Sequence, residues 1–445
     1  MKLSIREKIG FGAGDSSVAI VLMSTILFLS FFYTDIFGLK PTDMGIMFVV
    51  VKIFDAIIDP LIGVATDHTK SRWGKYRPWL LFSAVPFGIS IWLLFTTPDF
   101  DYSLKLAWAY ATYIVMTLFF TLVSIPYVSL IGVISDDPKE RLSANSYRFV
   151  MTKIVMFAVG YIVPLGANYF GKSSPQMGYQ ITMGAMAILA TLLCLYCFTT
   201  VKERVQHPLS SLSLKDQMKS LFKNDQWLIL AITIAVMMAG GVIRGSVSFY
   251  YALYYLSDID YSYVSIIFVA GVVASVLSML SCSFFTRAYD KIKVFRHTQL
   301  IAFVLGVLMY FVVQPGDLAL GMIFYVLITY FSEMQLPIYW ASIAESVDYG
   351  EKKTGKRVSG LAFGFILFFQ KLGIAVAGGF VGFALTHYEY TPGTAQSAVT
   401  LMGLSLMMTV FPAITNLMVS LLMKKYIIND EYYEQIKLTL RKSPQ

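Results

Sequence analysis

Charge is what this chain lacks most. Asp, Glu, Lys and Arg make up 14% of its 445 residues, and 57% are hydrophobic. Soluble domains carry about 25% charged residues, so a soluble globular class is excluded. Cysteine is nearly absent, with Cys194, Cys197 and Cys282 only. The CxxC formed by Cys194 and Cys197 falls in an apolar run with no histidine nearby, which favours helix packing over redox or metal work. The four histidines, His68, His207, His297 and His387, lie in or beside polar connections, which argues against a histidine metal site inside the apolar runs. The net charge is +8, but no basic stripe interleaved with aromatics stands out, so nucleic acid is not a partner.

Long apolar runs fill the space that charge leaves. Twelve occur, near residues 16–36, 43–66, 78–97, 105–134, 146–170, 178–200, 226–256, 260–285, 297–314, 318–345, 358–386 and 397–423. A helix of about 20 apolar residues crosses a bilayer, and continuous rather than alternating apolarity selects helices over a barrel. The expected fold class is an all-α membrane protein of twelve transmembrane helices. Most Lys and Arg residues fall at the amino terminus, in the connections after even-numbered runs, in the central loop and in the tail. The opposite connections hold Lys40, Lys105 and Lys172, while Lys52, Arg148, Lys153, Arg244 and Lys371 lie within runs. That bias puts both termini in the cytoplasm. The charged start MKLSIREKIG does not read as a cleavable signal peptide.

The chain reads as two halves: a six-helix bundle over 1–200, a central loop at 201–225, a second bundle over 226–424 and a tail at 425–445. GVATDHTKSRWGKYRPW after run 2 is echoed by FFTRAYDKIKVFR after run 8, and SDDPKERLSANSYR by ESVDYGEKKTGKRVSG. Paired six-helix halves are a transporter plan with substrate held near the midplane, and one chain is the expected functional unit. Acids and bases mixed in the echoed loops suit ion pairs that form and break as a gate moves. The candidates are Asp67, Arg72, Lys75, Arg141, Asp348, Glu351 and Arg357.

The sharpest feature is Asp55 and Asp59, one helical turn apart in the second run. A charge at bilayer depth costs about 2.5–3.5 kcal/mol on insertion scales, so two on one helix imply a partner or a water-filled cavity. Lys52, one turn earlier, neutralises only one of them, and converging acidic oxygens suit a transported cation. Lys371, flanked by apolar residues, needs a counter-charge, which Asp55 and Asp59 could supply. Asp15 in GFGAGDSS reads either as a cap of the first helix or as a carboxylate accepting two sugar hydroxyls. Arg244 in AGGVIRGS follows glycines that weaken a helix and could expose carbonyls to a cavity. Tyr113, Tyr127 and Trp340 offer flat rings beside polar groups, a surface suited to the apolar face of a sugar.

Seven stretches then carry a resemblance: EKIGFGAGD, FFYTDIFGL, KIFDAIIDPLIG, DHTKSRWGKYRPW, SIPYVSLIGVISDDPKER, SVDYGEKKTGKR and FFQKLG. Together they resemble the glycoside–pentoside–hexuronide:cation symporters of the major facilitator superfamily, which include the melibiose permease. The xyloside and pentoside branch is most similar. The resemblance implies the major facilitator fold, a bacterial cytoplasmic (inner) membrane and no cofactor. It also implies a cation site at Asp55 and Asp59 with Thr121 contributing and Lys371 nearby, and a sugar site at Arg148. Gln370 of FFQKLG is added to the candidate sugar contacts. Ser124, a further candidate for the cation site, and Val128 stand where the melibiose permease has an aspartate and a tryptophan. Ile57 and Ile58 replace the asparagine linked there to Na⁺, and that protein's sugar aspartate aligns near Ala19 rather than Asp15.

Asp55 and Asp59 bind a metal ion only if the coupling ion is Na⁺. Fewer oxygen ligands weaken a Na⁺ site more than a proton site, which favours H⁺. The expected function is symport of a small glycoside or pentose with a monovalent cation, in contact with membrane lipid. Two rivals are a lipid or lysolipid carrier of the same fold and an intramembrane prenyltransferase using DxxxD. For the latter, the second acidic pair, Asp136 and Asp137, is followed at once by Lys139 and Arg141 and fits poorly.

Overall fold

The computed structural model describes residues 3–135, 138–204, 214–257, 261–355, 358 and 360–442. Among them the secondary structure is helical, with no strand. The helices are α1 (Ile5–Leu29), α2 (Pro41–His68), α3 (Arg77–Leu94), α4 (Tyr102–Val133), α5 (Pro138–Phe170), α6 (Pro175–Thr200) and the short α7 (Leu214–Phe222). Then come α8 (Asp225–Leu256), α9 (Tyr261–Ala288), α10 (Lys291–Val312), α11 (Leu318–Thr354), α12 (Gly360–His387), α13 (Ala398–Met423) and α14 (Asp430–Lys442).

Eleven of these are long and apolar enough to cross a membrane. The twelfth spanning helix of the sequence reading, α2, differs because Asp43, Lys52, Asp55, Asp59 and Asp67 crowd its 28 residues. Its charges hold it apart, and those charges are the candidate site. Helices also outrun the apolar runs. α1 starts at Ile5, where Ser4 accepts from the Glu7 N–H and Glu7 accepts in return from Ser4. Such a reciprocal box satisfies two otherwise orphaned amides and fixes where the helix begins. Asp15 therefore lies inside α1 and does not cap it. The charged connection after α11 begins late for the same reason, since α11 runs on to Thr354 and polar residues outside hydrocarbon still complete a helix.

The chain divides into two compact units. The first is Met1–Leu209 with Ile259–Val269 and Tyr390–Ala395; the second is Ser210–Asp258, Ala270–Glu389 and Gln396–Gln445. In the first, α1 packs on α5 and α6, and α3 on α4 and α6. In the second, α8 packs on α12 and α13, and α10 on α11 and α13, so the internal echo of the sequence is also an echo of packing. Both leading helices widen into π-helical turns at matching places, Thr25–Leu29 and Phe32–Ile36 in the first half and Tyr251–Leu256 in the second. Single π turns inside helices often mark functional sites, and no hydropathy pattern announces them.

The glycines before Arg244 do not loosen α8, which stays α-helical across them. A Cβ on Gly240 would lie 1.9 Å from Thr415 Oγ1. The glycine admits α13 at close range rather than opening the backbone to a cavity.

Candidate functional site: a carboxylate pair and an arginine–aspartate pair in the first unit

Helix α2 turns Asp55 and Asp59 to one face, and α4 meets that face with Thr121. The Thr121 hydroxyl lies 3.1 Å from Asp55 Oδ1 and 3.1 Å from Asp59 Oδ1. Thr121 is fully buried and Asp55 is 1% exposed. Lys52 reaches the other oxygen of Asp55, Oδ2, at 3.3 Å. Tyr113 is buried, edge-on to Phe48, and stands in the electrostatic field of Lys52 and Asp55. It thus stands beside the carboxylate cluster. The Ser124 hydroxyl, on the same helix as Thr121, makes no hydrogen bond among the described residues.

A second constellation sits where α1 meets α5. Arg148 Nη2 lies 2.9 Å from Asp15 Oδ1, and the Thr152 hydroxyl donates to Asp15 Oδ2 at 2.6 Å. Tyr127 donates to the Phe11 carbonyl at 2.9 Å and stacks on the Phe11 ring, with the Arg148 guanidinium 5.6 Å from its own ring centre. Arg148 Nε is a buried donor with no hydrogen-bond partner among the described residues. Each Asp15 oxygen has two acceptor directions and one donor beside it, which leaves capacity for a ligand hydroxyl. Thr152 was absent from the sequence reading. Its signal was present, because position 152 falls one helical turn after Arg148.

The remaining candidates lie in the second unit. Arg244 reaches Thr329 Oγ1 at 3.3 Å and Ser332 Oγ at 3.4 Å, with the Tyr325 ring 5.9 Å away. Gln370 Oε1 is buried with no hydrogen-bond partner among the described residues, and Lys371 follows it on α12. Trp340 is 41% exposed, while its neighbour Tyr339 is buried and donates to the Leu230 carbonyl at 2.9 Å.

Of the candidate gating residues, Arg357 and the side chains of Asp67 and Arg141 lie outside the described residues. Arg72 stacks on Trp73 at 4.1 Å. Asp348 accepts from the Tyr433 hydroxyl at 2.7 Å, and Glu351 lies near the end of α11. Lys75 contributes its backbone, because Glu203 accepts from the N–H groups of Lys75, Tyr76 and Arg77 at 2.8, 2.8 and 3.0 Å. Gly74, at φ +107°, lets the loop approach that carboxylate, since a Cβ there would lie 2.4 Å from Glu203 Cδ. In the second unit Lys291 pairs with Glu345 at 2.6 Å and Asp430 at 3.0 Å. Sequence reasoning missed Glu203, Glu345 and Asp430, whose partners are remote in the chain.

The sequence matches the family described as MFS/sugar transport protein over residues 10–430, and the chain belongs to it. It is 34% identical over 428 residues to the inner membrane symporter YicJ of Escherichia coli (strain K12), covering 95% of this chain and 92% of that one. It is 30% identical over 408 residues to the isoprimeverose transporter of Lactiplantibacillus pentosus, covering 89% and 83%. The fold is shared with the crystal structure of a D-xylose-proton symporter, at a TM-score of 0.63 and 16% identity over 95% of this chain and 97% of that one. The class is therefore a multi-pass membrane transporter of the major facilitator fold, not an enzyme, and the prenyltransferase reading falls. Within that class the glycoside–pentoside–hexuronide symporters are the chain's own family.

Proposed function

We propose that this protein couples uptake of a small glycoside or pentoside to H⁺ across the bacterial inner membrane, by alternating access, with both termini in the cytoplasm. One observation carries the coupling: a single buried hydroxyl, Thr121, within 3.1 Å of both Asp55 and Asp59. A hydroxyl has one hydrogen but two acceptor lone pairs. It serves both carboxyls fully when it donates to one and accepts from the other, which requires that one carboxyl hold a proton. A Na⁺ ion would use the same three oxygens, Asp55 Oδ1, Asp59 Oδ1 and Thr121 Oγ1, as part of its shell. A Na⁺ ion needs several oxygens around it, whereas a proton needs one.

The sugar reading is supported by Asp15, Arg148 and Thr152. A carboxylate with spare lone pairs and a guanidinium with an unused N–H are matched to vicinal hydroxyls, which both donate and accept. Tyr127 backs the guanidinium with its ring. The names of the relatives YicJ and the isoprimeverose transporter point the same way, to symport and to a small glycoside. In this scheme the cation neutralises the carboxylate pair first and sugar binds next. Each ligand tightens the other by the same factor.

Asp59→Asn is expected to abolish uphill accumulation of radiolabelled glycoside in vesicles while leaving counterflow exchange intact. Undiminished accumulation by that variant would overturn the coupling assignment. An imposed pH gradient without Na⁺ should drive uptake; a requirement for a Na⁺ gradient would replace H⁺ in the scheme.

A further inference from the structure

The outer face of the first unit carries a furrow of about 390 Å³ between α3 and α6, lined among others by Val85, Ile89, Trp92, Ile188 and Leu192. Its floor is made by two glycines. A Cβ on Gly88 would lie 2.0 Å from Thr191 Oγ1, and one on Gly184 would lie 3.1 Å from Trp92. The Thr191 hydroxyl on this floor donates to the Ala187 carbonyl at 2.9 Å. The furrow is mainly apolar.

The furrow leads to a cation. Phe82, 66% exposed, lies one turn before Val85 on α3, and Phe198 continues the α6 side. Both flank Trp73, at 6.0 and 6.3 Å between ring centres, and the Arg72 guanidinium lies over Trp73 at 4.1 Å. Arg72 and Lys70 are exposed, and neither forms an ion pair among the described residues. The loop that carries them is braced. Glu203 holds the amides of Lys75, Tyr76 and Arg77, and Arg77 donates to the Phe198 carbonyl at 2.8 Å. From Phe82 to Trp92 the helix rises about 15 Å, on the scale of an acyl chain.

From this arrangement we infer a binding site for one anionic phospholipid: an acyl chain in the α3–α6 furrow and the phosphate on Arg72, with Lys70 beside it. A guanidinium stacked on a ring is pre-oriented, and its planar fork matches phosphate geometry. Aromatic side chains belong at the headgroup level, where Trp73 would stand. A neutral lipid would fill the furrow equally but leave the two cations without a counter-charge.

The full-length protein in detergent tests this by native mass spectrometry with dioleoyl phosphatidylglycerol or dioleoyl phosphatidylcholine. The wild type should retain one phosphatidylglycerol in preference to phosphatidylcholine. Arg72→Ala should reduce that preference about fivefold, the worth of one basic side chain at an anionic surface. Gly184→Leu, which puts a side chain on the floor, should lose both lipids. Equal retention of the two lipids by the wild type, or an unchanged preference in Arg72→Ala, overturns the site. A detergent-stable dimer broken by Gly184→Leu would give the furrow to a second copy instead. Fluorescence adds a measurement independent of these variants. One equivalent of phosphatidylglycerol brominated in mid-chain should quench the wild type, and Trp92→Phe should remove that quenching. Quenching undiminished by Trp92→Phe places the chain elsewhere and overturns the proposal.

Discussion

Thr121 is the residue on which the carboxylate pair turns. Its hydroxyl is the shared partner of Asp55 and Asp59, and its helix supplies the low-dielectric wall behind them. Thr121→Val keeps the shape and removes the hydroxyl. A hydrogen bond to a charged group is worth about 1.5–3 kcal/mol, so the cation concentration for half-maximal uptake should shift by about tenfold or more. Thr121→Ser should restore it, because the hydroxyl returns at the same place. Initial uptake rates across a range of external pH read the shift. If Val and Ser variants titrate like the wild type, the hydroxyl is a bystander. The same spacing logic made Asp55 and Asp59 legible from sequence, but it said nothing of which α4 residue would meet them. On α4 it is the Thr121 hydroxyl that lies against both acids, while the Ser124 hydroxyl has no hydrogen bond among the described residues.

At the scale of the element, the beginning of α3 is held by a residue from beyond α6. Three backbone amides of the first turn and its approach would lack partners without the Glu203 carboxylate, which behaves as a helix cap supplied from afar. Negative charge at a helix amino terminus is also favoured by the aligned peptide dipoles. Glu203→Ala should cost about 0.5–2 kcal/mol, the range of lost caps, and lower the midpoint of thermal unfolding in detergent. Glu203→Gln should recover part of the loss, since an amide oxygen accepts but carries no charge. An unchanged midpoint in Glu203→Ala would show that water replaces the carboxylate at no cost. The π-helical turns in α1 and α8 belong to this scale too. They require a local extra residue per turn that depends on packing, so periodicity alone could not reveal them.

Across the whole molecule, the repeat seen as echoed loops reappears as the same pairing of helices inside each unit. The proposed orientation, read from the charge bias, makes a prediction on this scale. Single cysteines at Ser71 and Lys172, in a background where Cys194, Cys197 and Cys282 are buried, should label on opposite faces. With an impermeant maleimide on intact cells, Lys172→Cys should react and Ser71→Cys should react only after permeabilisation. The reverse pattern would invert the assigned orientation.

Hydropathy, the spacing of Asp55 and Asp59 and the distribution of Lys and Arg are properties of composition and of short-range order. They determined an all-helical membrane protein and the helix that carries its buried acids, because burial in lipid tolerates so few exceptions. The Arg148–Asp15–Thr152 cluster, the Glu203 cap and the α3–α6 furrow were decided only by tertiary structure. Each depends on how one helix is rotated and set along another, a registry that joins residues far apart in the chain and that no local pattern encodes.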